Sequence, residues 1–524
     1  MTQTQAIDGF WLPAALRPLL ADAAWETVWL KAGALSQEPA DDAVAVRWPK
    51  FTLAQWRALL AGLQQGRSAG GRDVVLRWQA AFEAAVPRLM QQAETLLPLL
   101  ATCTGYSIEM LAASLQQSEL VNTRPLTATL ALQPTWSVAT RWERMAGLPG
   151  WLRFFPAGRA WRLLAGLRGS APLCRPAPAV DLALGYAAGN VPGTALLIML
   201  LASAANSARN EPAPAVLVRS SRHEPLFTPW VLSAIEEADP TLAAGLAVLV
   251  WDYQEADVQA TLMRAAGLLL AAAGDDTIAA LDRDRARYAP ALRFHRHGHK
   301  ASFAVIEDPS PRNTLLAALD SALWDQNGCL SARVHFVAGD ADAYGRLLAA
   351  QMRELAGRLP RGATPRRPVH RAFDAYKALE AGGQVTVHSA YEDDFAVVSD
   401  RRPWDADGLR RAVNACQGRV IVARPARDVL DVPALLRAIP AGNLQSVSVA
   451  MNPDRVLEFA TRAGAAGVTA VRSLGRAAFP QLAYSWDGLL PLDAGCLRPA
   501  GHFTTVEFDD LEQELAASAA RWAP

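Results

Sequence analysis

Cysteine is scarce in this chain: five residues in 524, at Cys103, Cys174, Cys329, Cys416 and Cys496. The number is odd and none form a CxxC pair, which argues against a secreted disulfide framework and fits a reducing compartment. Excess charge of either sign is also missing. Lys plus Arg and Asp plus Glu are both 51, which argues against nucleic acid as a partner, since its binders carry a basic excess or face. Long hydrophobic runs are absent. The strongest, 194–205, is too short to cross a bilayer and reads as a buried helix. The first residues, Met1-Thr2-Gln3-Thr4-Gln5, hold no basic segment followed by an apolar stretch, so a signal peptide is not expected and a cytoplasmic location is. HExxH, P-loop, GxSxG and GxGxxG patterns are missing too, which removes the commonest zinc-protease, nucleotide-hydrolase, serine-hydrolase and dinucleotide fingerprints.

What is present is apolar and periodic. Hydrophobic residues make up 51% of the chain, enough for more than one core at this length. Residues 1–170 read as mainly helical, with apolar residues at 3–4 spacing over 54–63, 75–99 and 108–115. Trp25, Trp29, Trp48 and Trp56 are expected to anchor packing there. A Pro-rich stretch, 169–178, reads as a linker. Beyond it, short apolar strands near 182–186, 215–219, 246–251 and 268–272 alternate with helices near 228–237 and 256–265. That alternation implies βαβ units and a parallel sheet covered on both faces. A second α/β block follows Pro309-Ser310-Pro311. It carries helical patterns near 344–359, 371–381 and 453–463, and strand patterns near 385, 419–423, 446–451 and 468–471.

The candidate chemistry centres on Cys329, in Trp324-Asp325-Gln326-Asn327-Gly328-Cys329-Leu330-Ser331. A helical pattern (Leu315, Leu316, Leu319, Ala322, Leu323) leads to it, and a strand pattern (Val334, Phe336, Val337) leaves it. Asn327-Gly328 is expected to break the helix, since both tolerate positive φ. The cysteine then sits in a tight elbow, where a thiol can be aimed at a substrate. The alternative is a small buried hydrophobe.

Five segments together resemble the LuxC-type acyl-CoA reductases of the aldehyde dehydrogenase superfamily. They are Gly189-Asn190-Val191-Pro192-Gly193, Gly274-Asp275-Asp276-Thr277-Ile278, the stretch from Gly298 to Ile306 with Lys300-Ala301-Ser302-Phe303, the cysteine elbow, and Ser485-Trp486-Asp487-Gly488-Leu489-Leu490-Pro491-Leu492. The resemblance implies an aldehyde-dehydrogenase-like α/β fold with two doubly wound domains and a helical N-terminal region. On that basis 1–170 is the helical part of the cofactor domain and 171–310 its nucleotide-binding core. Residues 311–475 are the catalytic domain, and 476–524 return to the cofactor domain.

The resemblance also implies the reaction. Cys329 attacks an acyl thioester, coenzyme A leaves, and the acyl-enzyme is reduced to an aldehyde. Asn190 and the Cys329 N–H are the implied donors to the carbonyl oxygen; Asn190 as a turn residue capping the next helix is the alternative. The thiol is expected to be depressed in pKa or deprotonated locally. Arg219, Ser220, Ser221 and Arg222 at the end of the second strand, with Gly274, Asp276 and Thr277, are the implied cofactor contacts. Arg at such a strand end favours a 2′-phosphate and hence NADPH; Glu224 keeps NADH open. Asp275-Asp276 as a helix N-cap is the alternative there. Aldehyde-oxidising relatives carry a glutamate four residues before the lysine that matches Lys300, and this chain has Arg296 instead. That fits an acyl-enzyme that is reduced rather than hydrolysed. Arg296 is either a cation that helps hold the thiolate or an unselected solvated residue. His295, His297 and His299 could share a strand face, but no Cys, Asp or Glu set flanks them, so no metal is expected. One of them could be a general acid or base, or all could lie on the surface.

The substrate is expected to be an acyl-CoA or other acyl thioester, with acyl-transferase or synthetase subunits and a homo-oligomer as further partners. A non-catalytic scaffold of the same fold, or a reductase of acyl-carrier-protein or acyl-phosphate substrates, are the alternatives.

Overall fold

A computed structural model describes residues 6–68, 73–117, 138–145, 150–157, 170–171, 175–477, 483–497 and 500–507. Backbone contacts divide the chain into two units. One holds Met1–Thr135, Cys174–His299 and Pro491–Arg498; the other holds Trp136–Leu173, Lys300–Leu490 and Pro499–Pro524.

The first unit is built on five parallel strands in the order Leu246–Leu249, Ala215–Arg219, Leu182–Tyr186, Leu268–Ala272, Arg293–His297. The first four are buried throughout apart from Arg219. Continuous apolar runs of this kind are what a sheet covered on both faces requires. Chain order reverses beside Leu182–Tyr186. The first strand therefore marks a topological switch point, and the crevice beyond the carboxyl ends of such strands is where open α/β sheets bind ligands. The connecting helices Thr194–Ser203, Phe227–Ala238 and Ala256–Ala265 follow the sequence periodicity closely.

Residues 1–170 depart from the helical expectation. Helices Leu53–Gln65, Asp73–Thr104 and Ile108–Gln117 are present, the first closed by a Thr52/Gln55 capping box. The first fifty residues, however, form a four-stranded sheet from Ile7–Asp8, Ala24–Lys31, Ala34–Ser36 and Val44–Lys50. Val28 and Leu30 alternate with less buried neighbours, and Val46 and Trp48 do the same on the paired strand. That period of two, on β-branched and aromatic residues, is a strand signal. The linker expected at 169–178 lies partly outside the described residues.

The second unit holds a ten-stranded sheet. Its order is Val385–Val387, Ala396–Asp400, Val420–Ala426, Ala332–Ala338, Ala301–Ile306, Leu444–Ala450, Ala470–Ser473, Gly501–Glu507, Trp151–Pro156, Glu143–Arg144. The seven strands from Ala396–Asp400 to Gly501–Glu507 pair in parallel; the outer pairings are antiparallel. After His299 the chain re-enters this unit at Lys300, and Ala301–Ile306 lies in the middle of its sheet. The C-terminal stretch does not return to the first unit as one piece. Pro491–Arg498 does, while Gly501–Glu507 pairs with Ala470–Ser473. Among the described residues no helix is long and apolar enough to cross a membrane.

Candidate active site

The loop 187–193 leaves the carboxyl end of Leu182–Tyr186 and packs on the loop that follows Ala215–Arg219. Ala187 N donates to Arg219 O (2.9 Å), and a Cβ on Gly189 would collide with Ser221 Oγ. Gly193, at φ +88°, caps helix Thr194–Ser203 in the left-handed region that glycine adopts without strain. Asn190 is exposed, and its carbonyl accepts from the Tyr106 hydroxyl. Within this unit, then, the Asn190 loop and the 219–222 segment lie together.

The members of that segment differ in what they can offer a ligand. Arg219 Nε donates to Trp251 O (2.7 Å), and its guanidinium lies 5.3 Å from the Tyr253 ring centre. Ser220 is buried and donates to Glu224 O (2.9 Å), so it is directed inward. Ser221 Oγ accepts from His223 N. Arg222 Nε is buried with no hydrogen-bond partner among the described residues. Glu224 is engaged in the fold. It is buried, its Oε1 accepts Phe227 N (2.8 Å), and the Gly193 and Leu226 amides also bond it. Burial outweighs these bonds and raises its pKa to about 7. A carboxyl so occupied is not free to bond a ribose.

On the other side of the switch point, Gly274 is the N-cap of helix Asp275–Tyr288, with open space where a Cβ would stand. Asp276 and Thr277 lie in the first turn, so the N-cap is the glycine rather than either aspartate. A helix start of this kind presents free N–H groups to an anion. Asp275 is engaged, since its Oδ1 accepts His299 N (2.7 Å). Arg296 bonds Asp282 at 2.8 Å and its side chain is 48% exposed, so it is a paired surface cation. Among the described residues no group of three or more His, Cys, Asp and Glu is arranged to hold a metal ion.

In the second unit, helix Pro311–Ala322 starts at a Ser310 cap followed by proline and points to Cys329. The break is not where Asn327-Gly328 suggested. Leu323 turns extended (ψ 140°), and then Trp324, Asp325 and Gln326 all take positive φ, at 56°, 47° and 60°; Asn327 has φ −86°. Three left-handed non-glycine residues cost about 1–2 kcal/mol each, so the surroundings must impose them. They do so through buried side chains. Asp325 pairs with Arg419 (2.9 Å; 0% and 1% exposed) and accepts Gly362 N (3.0 Å). Gln326 donates to Ala332 O and Val420 O and accepts Val420 N, at 2.7–3.0 Å.

This brace sets Cys329 at the amino end of strand Ala332–Ala338, partly exposed. Its carbonyl accepts the Ser302 hydroxyl (2.9 Å), and Ser446 Oγ and N both bond Ser302 Oγ (3.0 and 3.3 Å). The ladders on both sides of Ala301–Ile306 shift register beside Ser302, an irregularity that re-aims a side chain.

The thiol is not depressed in pKa. Burial, then the charge of Asp487, pushes it up to about 11; the Gln445 side chain, its own N–H and the more distant Arg472 pull the other way. Gln445 is 2% exposed, and among the described residues neither of its amide atoms has a hydrogen-bond partner. Ser473 Oγ is in the same state. Ser302 and Asp487 fall within the family-like segments, but nothing in their spacing places them at the thiol. Gln445 and Arg472 sit in ordinary strand patterns and carried no signal.

The fold and this turn define a two-unit α/β protein with a cysteine on a braced turn. Acyl-CoA reductase (LuxC) is the family whose profile matches, over residues 182–495, more than half of the chain. This chain belongs to that family. Aldehyde dehydrogenase 21 from Physcomitrella patens, solved with succinate, aligns with TM-score 0.61 at 12% identity over 96% of this chain and 99% of its own. A NAD-dependent benzaldehyde dehydrogenase from Corynebacterium glutamicum gives 0.57 at 13% (93% and 99%). A Mycobacterium tuberculosis aldehyde dehydrogenase complexed with NAD+ gives 0.56 at 12% (98% and 97%). These likenesses show the aldehyde dehydrogenase fold. No curated protein matches the chain.

Proposed function

We propose that this protein reduces an acyl thioester, with coenzyme A as the donor and a fatty chain as the acyl group, to an aldehyde through a Cys329 acyl-enzyme, using NADPH. The single observation that supports this most is the braced turn. Three strained residues and a buried ion pair are maintained to hold one cysteine, which a small hydrophobe would not need.

The Cys329 sulfur, after losing its proton, bonds the thioester carbon; the bond from that carbon to the coenzyme A sulfur breaks, and the departing thiolate takes up a proton. Covalent catalysis of this kind divides one difficult step into two. The Cys329 N–H is one proposed donor to the carbonyl oxygen, and the Asn190 amide is the other; such donors are typically worth about 3–4 kcal/mol each. A reduced nicotinamide, when bound, supplies the hydride that converts the acyl-enzyme into aldehyde. Release of the aldehyde returns Cys329 as the leaving thiolate. A thiol with its pKa near 11 resists ionising in the resting protein, so deprotonation belongs to the substrate-bound state.

The residues of the first unit fit a phosphorylated dinucleotide. Arg222 has a buried nitrogen without a partner, Gly274 opens a helix start, and Glu224 is already committed. Arg219, Arg222 and Ser221 are assigned to the adenosine end, and Gly274, Asp276 and Thr277 to the pyrophosphate. Ser220 supports that loop from inside.

The test follows reduced-nicotinamide absorbance with acyl-CoA substrates of graded length, NADPH and NADH in parallel. Acyl-CoA-dependent oxidation of NADPH, abolished in Cys329→Ala, is expected. Native turnover by that variant overturns the proposal.

A further inference from the structure

A buried amide with no partner is unusual. Each such group typically costs about 1–3 kcal/mol, and native structures hold few of them. Gln445 has both amide atoms in that state at 2% exposure, while its backbone carbonyl is well used by Thr469 N (2.8 Å) and Thr469 Oγ1 (2.9 Å). The side chain is thus fixed at its root and free at its tip. Its position is set from two directions. The next residue, Ser446, bonds Ser302 through both N and Oγ, and Ser302 bonds the carbonyl of Cys329. Gln445 therefore stands at the amino end of its strand, beside the turn that holds the thiol.

We propose that the Gln445 side-chain amide is a catalytic residue that donates its N–H to the Cys329 sulfur and holds the thiolate once it forms. A neutral donor suits this place. The charges acting on the thiol are Asp487 from the loop after residue 483, Arg472 from Ala470–Ser473 and, more weakly, Arg333 from the strand that follows the cysteine. Strands Ala301–Ile306 and Leu444–Ala450 bring none. Arg472 is itself bonded to Glu507, so the cation there is partly neutralised, and the anionic Asp487 opposes ionisation. The amide can stabilise the thiolate at close range without adding a counterion that would hinder departure of a second anion, the coenzyme A thiolate. The role in turnover rests on the acyl-enzyme reading, but the bond can be tested without substrate.

The experiment is iodoacetamide alkylation of Cys329 as a function of pH, with the site assigned by peptide mass and Cys329→Ser as the blank. Gln445→Met keeps the volume and removes the donor. The alkylation profile is expected to move up by about one pH unit, so that at neutral pH the rate falls about tenfold. The thermal midpoint is expected to hold or rise, because an unpartnered buried amide has been removed. An unshifted profile in a folded Gln445→Met protein overturns the proposal. If that variant fails to fold, Gln445→Asn, which withdraws the amide by one methylene, reads the same quantity: an upward shift supports the bond and an unshifted profile overturns it. Acyl transfer to wild-type Cys329 together with an unshifted variant profile would leave the acyl-enzyme standing and remove Gln445 from it.

Discussion

Cys329 and Cys416 belong to the same unit, and both thiols are raised by burial, to about 11 and about 12. Their settings are otherwise opposite. Cys416 ends helix Ala406–Ala415 in ordinary backbone geometry, fully buried, with Arg333 nearby and the Val422 amide bonding its sulfur. Cys329 is partly exposed, follows three left-handed residues, and lies beside an amide that has no hydrogen-bond partner among the described residues. On the proposed function, a raised pKa therefore does not separate a structural thiol from a reactive one. Strain held by buried partners, with a polar group left unengaged, does. The first unit shows the same contrast between Glu224, committed to three amides, and Arg222, with a nitrogen to spare.

Removing each sulfur tests the contrast most severely. Cys329→Ala is expected to lower acyl-CoA-dependent turnover by roughly four orders of magnitude. Cys416→Ala should leave kcat within about twofold and cost on the order of 1 kcal/mol in urea unfolding. Comparable losses of activity in both would erase the distinction. The brace comes next. Asp325→Ala leaves the Arg419 guanidinium buried without its partner, a change expected to cost about 3–5 kcal/mol, measured by denaturant midpoint; a cost below 1 kcal/mol would mean the turn does not depend on it.

The committed carboxyl in the first unit gives a pH signature. Glu224 keeps its proton to about pH 7 when folded and loses it near 4.5 when unfolded, so stability contributed by this group falls as pH rises through that window. Glu224→Gln should abolish that fall. Relative to wild type it should gain about 3 kcal/mol between pH 4.5 and 7.5, and urea midpoints that change in parallel would refute it. Smallest is the uncommitted cation. Arg222→Gln is expected to raise KM for NADPH about tenfold with little change for NADH, because a charge-assisted contact to a 2′-phosphate is lost. Equal changes for both cofactors would place Arg222 elsewhere.

Much of this was legible in the sequence because burial on both faces leaves a plain mark. The strands Leu182–Tyr186, Ala215–Arg219 and Leu268–Ala272 and the helix Ala256–Ala265 fall where the apolar runs and periodicity place them. The elbow was legible as a position but not as a conformation. Trp324 and Gln326 have no local preference for positive φ, and Asp325 only a weak one; Arg419 and Val420, almost a hundred residues away, impose it. Gln445 was invisible for a related reason. Within Leu444–Ala450 it alternates like any strand residue, and only the register with Ala301–Ile306 brings it to the thiol. Ala24–Lys31 and Val44–Lys50 were readable as strands, but the strong helices that follow drew the whole N-terminal region into one class.

The central claim is a covalent bond between an acyl group and the sulfur of residue 329. Intact-protein mass spectrometry after mixing with an acyl-CoA, without reduced nicotinamide, tests it directly. A gain of one acyl group per chain is expected, mapped to the peptide containing Cys329 and absent in Cys329→Ala. A protein that stays unmodified in that mixture, or carries the acyl group equally on Cys416, would contradict it.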